Sequence, residues 1–526
     1  MDQLIVVIGL MLGTVLIVGL GDRFHAPWPV LLTLVAAGAA FIPGIPHVAL
    51  EPELILPLFL PPLLWALARR TSWSMFRDRW KTIVVHSVGL VFVTTAAVAW
   101  SAWALVPGIT LAAAIAVGAM CAPPDPVAVE AVAEPVGIPR RIVGVLQTEG
   151  LFNDAAALVA FQAAVAATIA REDLDFGFEV LHFFYTAGAA VAIGLIVGWL
   201  GTALVVRIVD IPGRSGLTLV IPFVVYLLAE EVHASGVIAV VVAAVQMSAA
   251  DSEIEAEDRL ASASFWHVAE LLITGLAFGL VGLEFRYIVE NAGSDLWTMV
   301  LHGVIIGLVL VAVRGAWMTA TWLAVRRKSG DGSSAPRSAA EALVMTWCGM
   351  RGLVTLALAL SLPVENFSWR SEAVVIAAVV LVMSMILPGF TLPWMVKKLG
   401  VAGVADAEDE EERALVERAR IAALGVVTDA PSDLPPESVA HIKALYHRLE
   451  EESAPRIHTN EYAEHVEQLK HRRKALRELQ RAALSAAQAE VLAARSEKGQ
   501  DPQVVARVLE RLDRLSTASN TQSFHH

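Results

Sequence analysis

Charge is scarce in this chain. Only 17% of its 526 residues are Asp, Glu, Lys or Arg, against roughly 25% in soluble domains. The net charge of −13 divides into 22 basic and 30 acidic residues up to position 398, then 17 and 22 beyond it. Neither part is basic, and no Lys/Arg cluster is interleaved with aromatics, which argues against a nucleic-acid partner. Cysteine is nearly absent. Cys121 and Cys348 stand alone in apolar segments and make neither a disulfide framework nor a metal site, so both are read as packing residues. His86, His267 and His302 are scattered on different segments, and no HExxH or GxSxG occurs. A membrane-embedded hydrolase would need a nucleophile with its base, or metal ligands.

What the chain has in quantity is hydrocarbon. It is 56% hydrophobic with a mean hydropathy of +0.61, and apolar windows of about 20 residues recur to about residue 398. That pattern predicts an all-α polytopic membrane protein. Residues 1–20 lack the basic start and small-residue cleavage site of a signal peptide, so they are read as a retained first span. Thirteen spans are expected, centred near residues 11, 35, 61, 94, 121, 156, 194, 224, 242, 273, 311, 350 and 384. An odd number puts the termini on opposite sides. Arg23, Arg69, Arg70, Arg77, Arg79, Lys81, Arg140, Arg141, Arg207, Arg214, Arg259, Arg326, Arg327, Lys328, Arg337, Lys397 and Lys398 fall on one side; only Arg171, Arg286 and Arg370 fall on the other. The positive-inside rule then places the N-terminus outside and the C-terminus in the cytoplasm. The acidic DSEIEAEDR (251–259) lies on the inner side, but the rule discounts acids.

Two spans carry helix-breaking sequence: CAPPDPVAVEAV (121–132) in the fifth and CGMRGLVT (348–355) in the twelfth. Proline removes backbone donors and glycine loosens the helix, so each is expected to split into half-helices. If spans 1–6 and 8–13 are repeats, the two breaks occupy matching positions, which points to a transporter's midplane site. After residue 398 the composition turns acidic and Ala-rich. A linker is expected at DAPSDLPPES (429–438) and an amphipathic helix over 460–500.

Ionisable groups inside spans are rare and mark function by default. Here they are Asp125, Glu130, Glu149, Asp154, Arg314 and Arg351. Glu130 falls near the cytoplasmic end of its span, where water can solvate it. Glu149 and Asn153 are four apart and share a helix face, while Asp154 is turned a step further round. That arrangement allows one carboxylate to be locked to an arginine while the other stays free. A free carboxylate suits a hard monovalent cation, with the Asn amide oxygen and carbonyls at a helix break supplying further ligands. Burial makes a carboxylate hold its proton more readily, so proton and cation compete for one negative site. Such competition is the elementary step of antiport. A channel would need a continuous pore with repeated weak sites, and the chain offers a single cluster.

The same residues carry a family resemblance. QTEGLFNDAAALVAF (147–161) resembles the E-S-x-F/L-N-D helix of the NhaP-like sodium/proton exchangers, a branch of the monovalent cation:proton antiporters. PPDPVAVEAV is similar to their T-D-P-V-A-V break, GMRGLVTLALALSLP to their G-L-R-G-A-V-S-L-A-L-A-L helix, and LPLFLPPLLWALA (56–68) to a segment of their third span. The matches fall in family order across about 400 residues.

The resemblance implies an inverted-repeat antiporter fold in residues 1–398, with a cytoplasmic helical tail at 399–526. Core spans would lie at about 82–170 and 297–398, and homodimerisation spans at about 2–68 and 180–282. It implies Asp154 as the ion- and proton-binding carboxylate and ligand for Na⁺, with Asn153 and Asp125 in the same site. Glu149 and Arg314 would form a structural ion pair, and Arg351 with Asp125 would offset half-helix dipoles. The substrates would be Na⁺ or another monovalent cation and H⁺, exchanged one for one across the plasma membrane in pH and sodium homeostasis, with no cofactor. Asn-Asp in place of Asp-Asp goes with electroneutral exchange in this family. Three positions depart from the pattern: Pro124 replaces Thr, Gly150 replaces Ser, and Ala66 stands where many exchangers carry an acid.

Overall fold

A computed structural model describes residues 2–24, 27–43, 52–69, 85–136, 138–170, 176–208, 210–250, 256–328, 336–363, 367, 369–401, 405–428, 439, 482–494 and 504–512. The described residues are helical, with no strand among them. In chain order the helices are α1 (Asp2–Phe24), α2 (Trp28–Ala40), α3 (Pro52–Arg69), α4 (Leu90–Leu105), α5 (Leu111–Cys121), α6 (Pro126–Val136), α7 (Arg140–Ala170), α8 (Phe176–Arg207) and α9 (Ile211–Glu231). They continue as α10 (Gly236–Ala250), α11 (Ala256–Ala292), α12 (Leu296–Lys328), α13 (Ala339–Trp347), α14 (Leu353–Leu360), α15 (Arg370–Leu381), α16 (Leu387–Leu399) and α17 (Ala405–Thr428). A π-helical turn, Val85–Gly89, leads into α4, and another, Val382–Ile386, joins α15 to α16.

All thirteen expected spans coincide with a helix or with a pair of half-helices. Among the described residues eight segments are long and apolar enough to cross a membrane by themselves, one of which holds both α11 and α12. The rest are short, such as α2, α3 and α10, or broken, as α13 and α14 are. Local chemistry sets the ends. Thr110 caps α5 by accepting the Ala113 N–H at 3.2 Å, and Asp210 caps α9 through Gly213 at 2.7 Å. Gly400 closes α16 in the left-handed region at φ 65°, behind Lys397 and Lys398 in the last turn.

Small residues set how closely the helices approach, since lipid tails offer no hydrophobic drive between spans. Three Gly-x-x-x-Gly pairs do this. A Cβ on Gly194 of α8 would lie 2.6 Å from the Ala239 carbonyl of α10, and one on Gly279 of α11 only 2.7 Å from Leu10 of α1. Gly303 of α12 leaves equally little room beside Val379 of α15. Around the two breaks pack α4, α5, α7, α12 and α15, and α3 touches α7, α10 and α14. On α1 and α8 the residues turned outward are apolar, Leu12, Leu16, Ile196 and Trp199 among them, as a lipid-facing surface requires.

The chain divides into two compact units, one running to residue 403 apart from 72–78 and 251–264, and a second comprising those segments and 404–526. In the second, α17 buries Leu415, Ala419 and Ala423 with Ala487, Val491 and Val505, and Arg418 bonds Glu490 at 2.7 Å. The expected linker at 429–438 and most of the expected helix over 460–500 lie outside the described residues; Ala482–Ala494 is helical. Arg70, Arg77, Arg79 and Lys81 also lie outside them.

Candidate functional site

Each break is short. Ala122, Pro123, Pro124 and Asp125 separate α5 from α6, and Cys348, Gly349, Met350, Arg351 and Gly352 separate α13 from α14. The breaks touch through the Asp125 N–H, which donates to the Met350 carbonyl at 2.7 Å. Four half-helix ends therefore converge, two presenting bare N–H groups and two presenting bare carbonyls.

Asp125 serves the N-terminal ends. Its Oδ1 accepts the N–H of Val127 at 2.9 Å and of Ala128 at 3.2 Å, which closes α6. The backbone N–H of Leu353, the first residue of α14, also bonds this carboxylate. Gly352 makes that approach possible, because a Cβ there would collide with Asp125 Oδ2. Arg351 serves the C-terminal ends. Its Nε donates to the Cys121 carbonyl at 3.1 Å, its Nη2 to Ala122 at 3.2 Å, and its Nη1 to Gly349. A carboxylate at helix N-termini and a cation at C-termini each lower the cost of the exposed partial charges. The Arg351 N–H itself goes to Ser384 Oγ at 3.1 Å, within the π turn between α15 and α16.

On α7 the polar residues face three ways. Glu149 meets Arg314 of α12 in a two-pronged pair, Nη1 to Oε1 at 2.6 Å and Nη2 to Oε2 at 3.0 Å, with both side chains 2% exposed. Arg314 Nε also donates to the Met345 carbonyl at 3.0 Å. Gly349 lies flat against the Arg314 side chain, so a Cβ there would strike it. Asn153, fully buried, donates its amide to the Pro124 carbonyl at 2.7 Å, while its Oδ1 accepts the Asp154 N–H at 2.7 Å. The amide thus straps the first break to α7.

Asp154 faces a small cavity of about 30 Å³ that it shares with Asp125. Leu60, Leu63, Leu64 and Leu67 of α3 form one wall, and Pro126, Val127, Leu353 and Val354 another. Among the described residues no hydrogen-bond donor reaches the Asp154 carboxylate. Gly150 sits one turn before it, against the Pro126 ring; a Cβ there would lie 2.5 Å from Cγ, so a side chain enters only if Pro126 shifts. Ala66 is buried within α3, and Glu130 lies half-buried on α6.

The match to a family model for the transmembrane part of sodium/hydrogen exchangers covers residues 9–398. The chain belongs to the sodium/hydrogen exchanger family. Similar relatives include an uncharacterized Na(+)/H(+) exchanger of Mycobacterium tuberculosis, 32% identical over 84% of this chain and 83% of the relative. Another is a sodium, potassium, lithium and rubidium/H(+) antiporter of Bacillus pumilus, 31% identical over 72% of this chain and 59% of the relative. The fold is similar to that of the sodium proton antiporter MjNhaP1 from Methanocaldococcus jannaschii, with a TM-score of 0.57 at 17% identity over 77% of this chain and 100% of that one. This exchanger is a multi-pass membrane protein of a transporter family, and its activity is monovalent cation/proton antiport.

Sequence reasoning alone misses the α3 wall. Its signal is the spacing of Leu60, Leu64 and Leu67, one stripe of a helix that already carries Pro57, Pro61 and Pro62. It also misses Ser384, because a π turn has no composition of its own. The three histidines stay apart: His86 accepts the Trp317 indole N–H at 3.3 Å, and His302 pairs with Glu372 at 2.6 Å.

Proposed function

We propose that Asp154 is the exchanging group, which carries either a monovalent alkali cation, Na⁺ first among them, or a proton. One observation carries this reading. Of the three acids at the crossing, Glu149 is held by Arg314 and Asp125 by backbone N–H groups, while the Asp154 carboxylate has no donor among the described residues. A carboxylate already neutralised gains little from a passing ion, whereas an unpaired one in an apolar setting binds whichever cation is available.

The stoichiometry follows from the same count. One titrating carboxylate is neutral with a cation and neutral with a proton, so exchange is one for one and moves no net charge. Asn153 and Arg351 are positioning residues that hold the break geometry. Glu149 and Arg314 lock α7 to α12. We read the chain as a plasma-membrane homodimer, N-terminus outside and C-terminus cytoplasmic, that serves pH and sodium homeostasis. The basic-residue asymmetry supports the orientation, and the relatives' names support Na⁺ as substrate.

Proton flux in proteoliposomes of the full chain tests this. Protonated Asp154 cannot bind a cation, so the apparent KM for Na⁺ is expected to rise about tenfold for each unit the pH falls once protonation dominates. An imposed membrane potential is expected to leave the rate unchanged. A KM indifferent to pH, or a rate that follows the potential, would contradict the reading.

A further inference from the structure

Cations and exposed aromatics gather where α12 and α16 end and α13 begins. Leu387, Phe390 and Trp394 of α16 are all exposed, and their spacing places them on one stripe of the helix. Lys397 and Lys398 extend that stripe into the last turn, also exposed. The Lys398 ammonium lies 4.6 Å from the centre of the Trp394 ring. The end of α12 repeats the pattern: Arg326 is exposed, and its guanidinium lies 5.9 Å from the Trp322 ring. Between them, α13 touches both helices. Trp347 near its end donates its indole N–H to Thr391 Oγ1 of α16 at 2.7 Å, and Arg337 stands exposed just before its first turn.

Arg326, Arg337, Lys397 and Lys398 pair their side chains with no carboxylate among the described residues. The nearby acid of α13, Glu341, is taken by Arg141 and by the Arg337 backbone N–H. A chain of net charge −13 thus carries a local positive field at these helix ends. Depth fits as well. From Ser384, which bonds at the crossing, to Lys397 the helix rises about 20 Å, whereas half a hydrocarbon core is about 15 Å. With the crossing near the midplane, the lysines reach headgroup level while Leu387 and Phe390 stay at the depth of acyl chains. Hydrocarbon, then an aromatic ring, then cations is the sequence of surfaces that acyl chains, glycerol esters and a phosphate would meet.

We propose that these helix ends form a binding surface for an anionic glycerophospholipid. Its phosphate sits against Lys397, Lys398 and Arg326, and its acyl chains run along Leu387 and Phe390. The three helices it joins all serve the second break. Arg314 belongs to α12, α13 ends at the break itself, and α16 follows the π turn whose Ser384 holds the Arg351 N–H. A lipid that ties their ends together steadies the break from outside, so turnover depends on the headgroup while the cation site is unchanged.

Native mass spectrometry of the full chain, offered phosphatidylglycerol or phosphatidylcholine in detergent, reads binding. Retention of phosphatidylglycerol is expected to exceed that of phosphatidylcholine by about tenfold. Lys397→Gln and Lys398→Gln should each weaken it about fivefold, and Arg at both positions should restore it. Equal retention of the two lipids, or full retention when both lysines are Gln, would overturn the surface. Glycerol phosphate is expected not to displace the lipid; displacement would mark a site for free phosphate and overturn the lipid assignment. Proton flux in vesicles at saturating Na⁺, where enrichment of the ion at a charged surface no longer matters, reads the consequence. Turnover with phosphatidylglycerol is expected to exceed that in phosphatidylcholine alone by about three- to tenfold. That advantage should vanish in the double Gln variant, with its flux in phosphatidylcholine equal to the parent's. Parent flux indifferent to the headgroup would overturn the control of turnover.

Discussion

The two helix breaks do one job with opposite chemistry. The first, at Pro123–Asp125, uses prolines to remove donors and contributes an acid. The second, at Gly349–Gly352, uses glycines to admit neighbours and contributes a base. Each then serves both helices: Asp125 binds N–H groups of α6 and α14, and Arg351 binds carbonyls at the ends of α5 and α13. Each break is also tied to the other, Asp125 through Leu353 and Arg351 through Cys121 and Ala122. What holds the crossing is an exchange of charges between the two breaks.

Arg351→Ala tests the basic half and should have the largest effect. It leaves three carbonyls without their donor, a loss on the order of 5 kcal/mol at about 1–3 kcal/mol for each buried group. Arg351→Lys should recover only part, because one ammonium cannot span three carbonyls. Thermal unfolding in detergent reads both. Next comes Arg314→Ala, expected to cost about 3–5 kcal/mol by stranding Glu149. Glu149→Ala should cost a similar amount and the double variant clearly less than the sum; additive losses would contradict the contact. Gly150→Ser should destabilise by about 1–3 kcal/mol through overpacking against Pro126, and Pro126→Ala should relieve it. The smallest effect is expected from Ser384→Ala, about 1 kcal/mol for the single bond to the Arg351 N–H.

Much of this was legible in the sequence, for physical reasons. Hydrophobic runs mark spans because lipid tolerates little else, and all thirteen have their helix or helix pair. Prolines and glycines mark breaks because they alter backbone donors and packing. What the sequence withheld was direction. Glu149 and Asn153 are four apart and share a face, yet one reaches α12 and the other the first break. The pairing of Glu149 with a residue 165 positions away follows from packing and is implied in the sequence only by family resemblance. Five carbonyls at the breaks accept bonds from Arg351, Asn153 and Asp125, three donors that no local pattern brings together.

Asp154→Asn is the decisive substitution. It keeps the shape of the side chain while removing its charge, and it disturbs none of the ties made by Glu149, Asn153, Asp125 or Arg351. Cation-driven proton flux by that variant in proteoliposomes is expected to vanish for every alkali ion while thermal unfolding stays near that of the parent. Exchange at the parent rate would show that the unpaired carboxylate is not where cation and proton trade places.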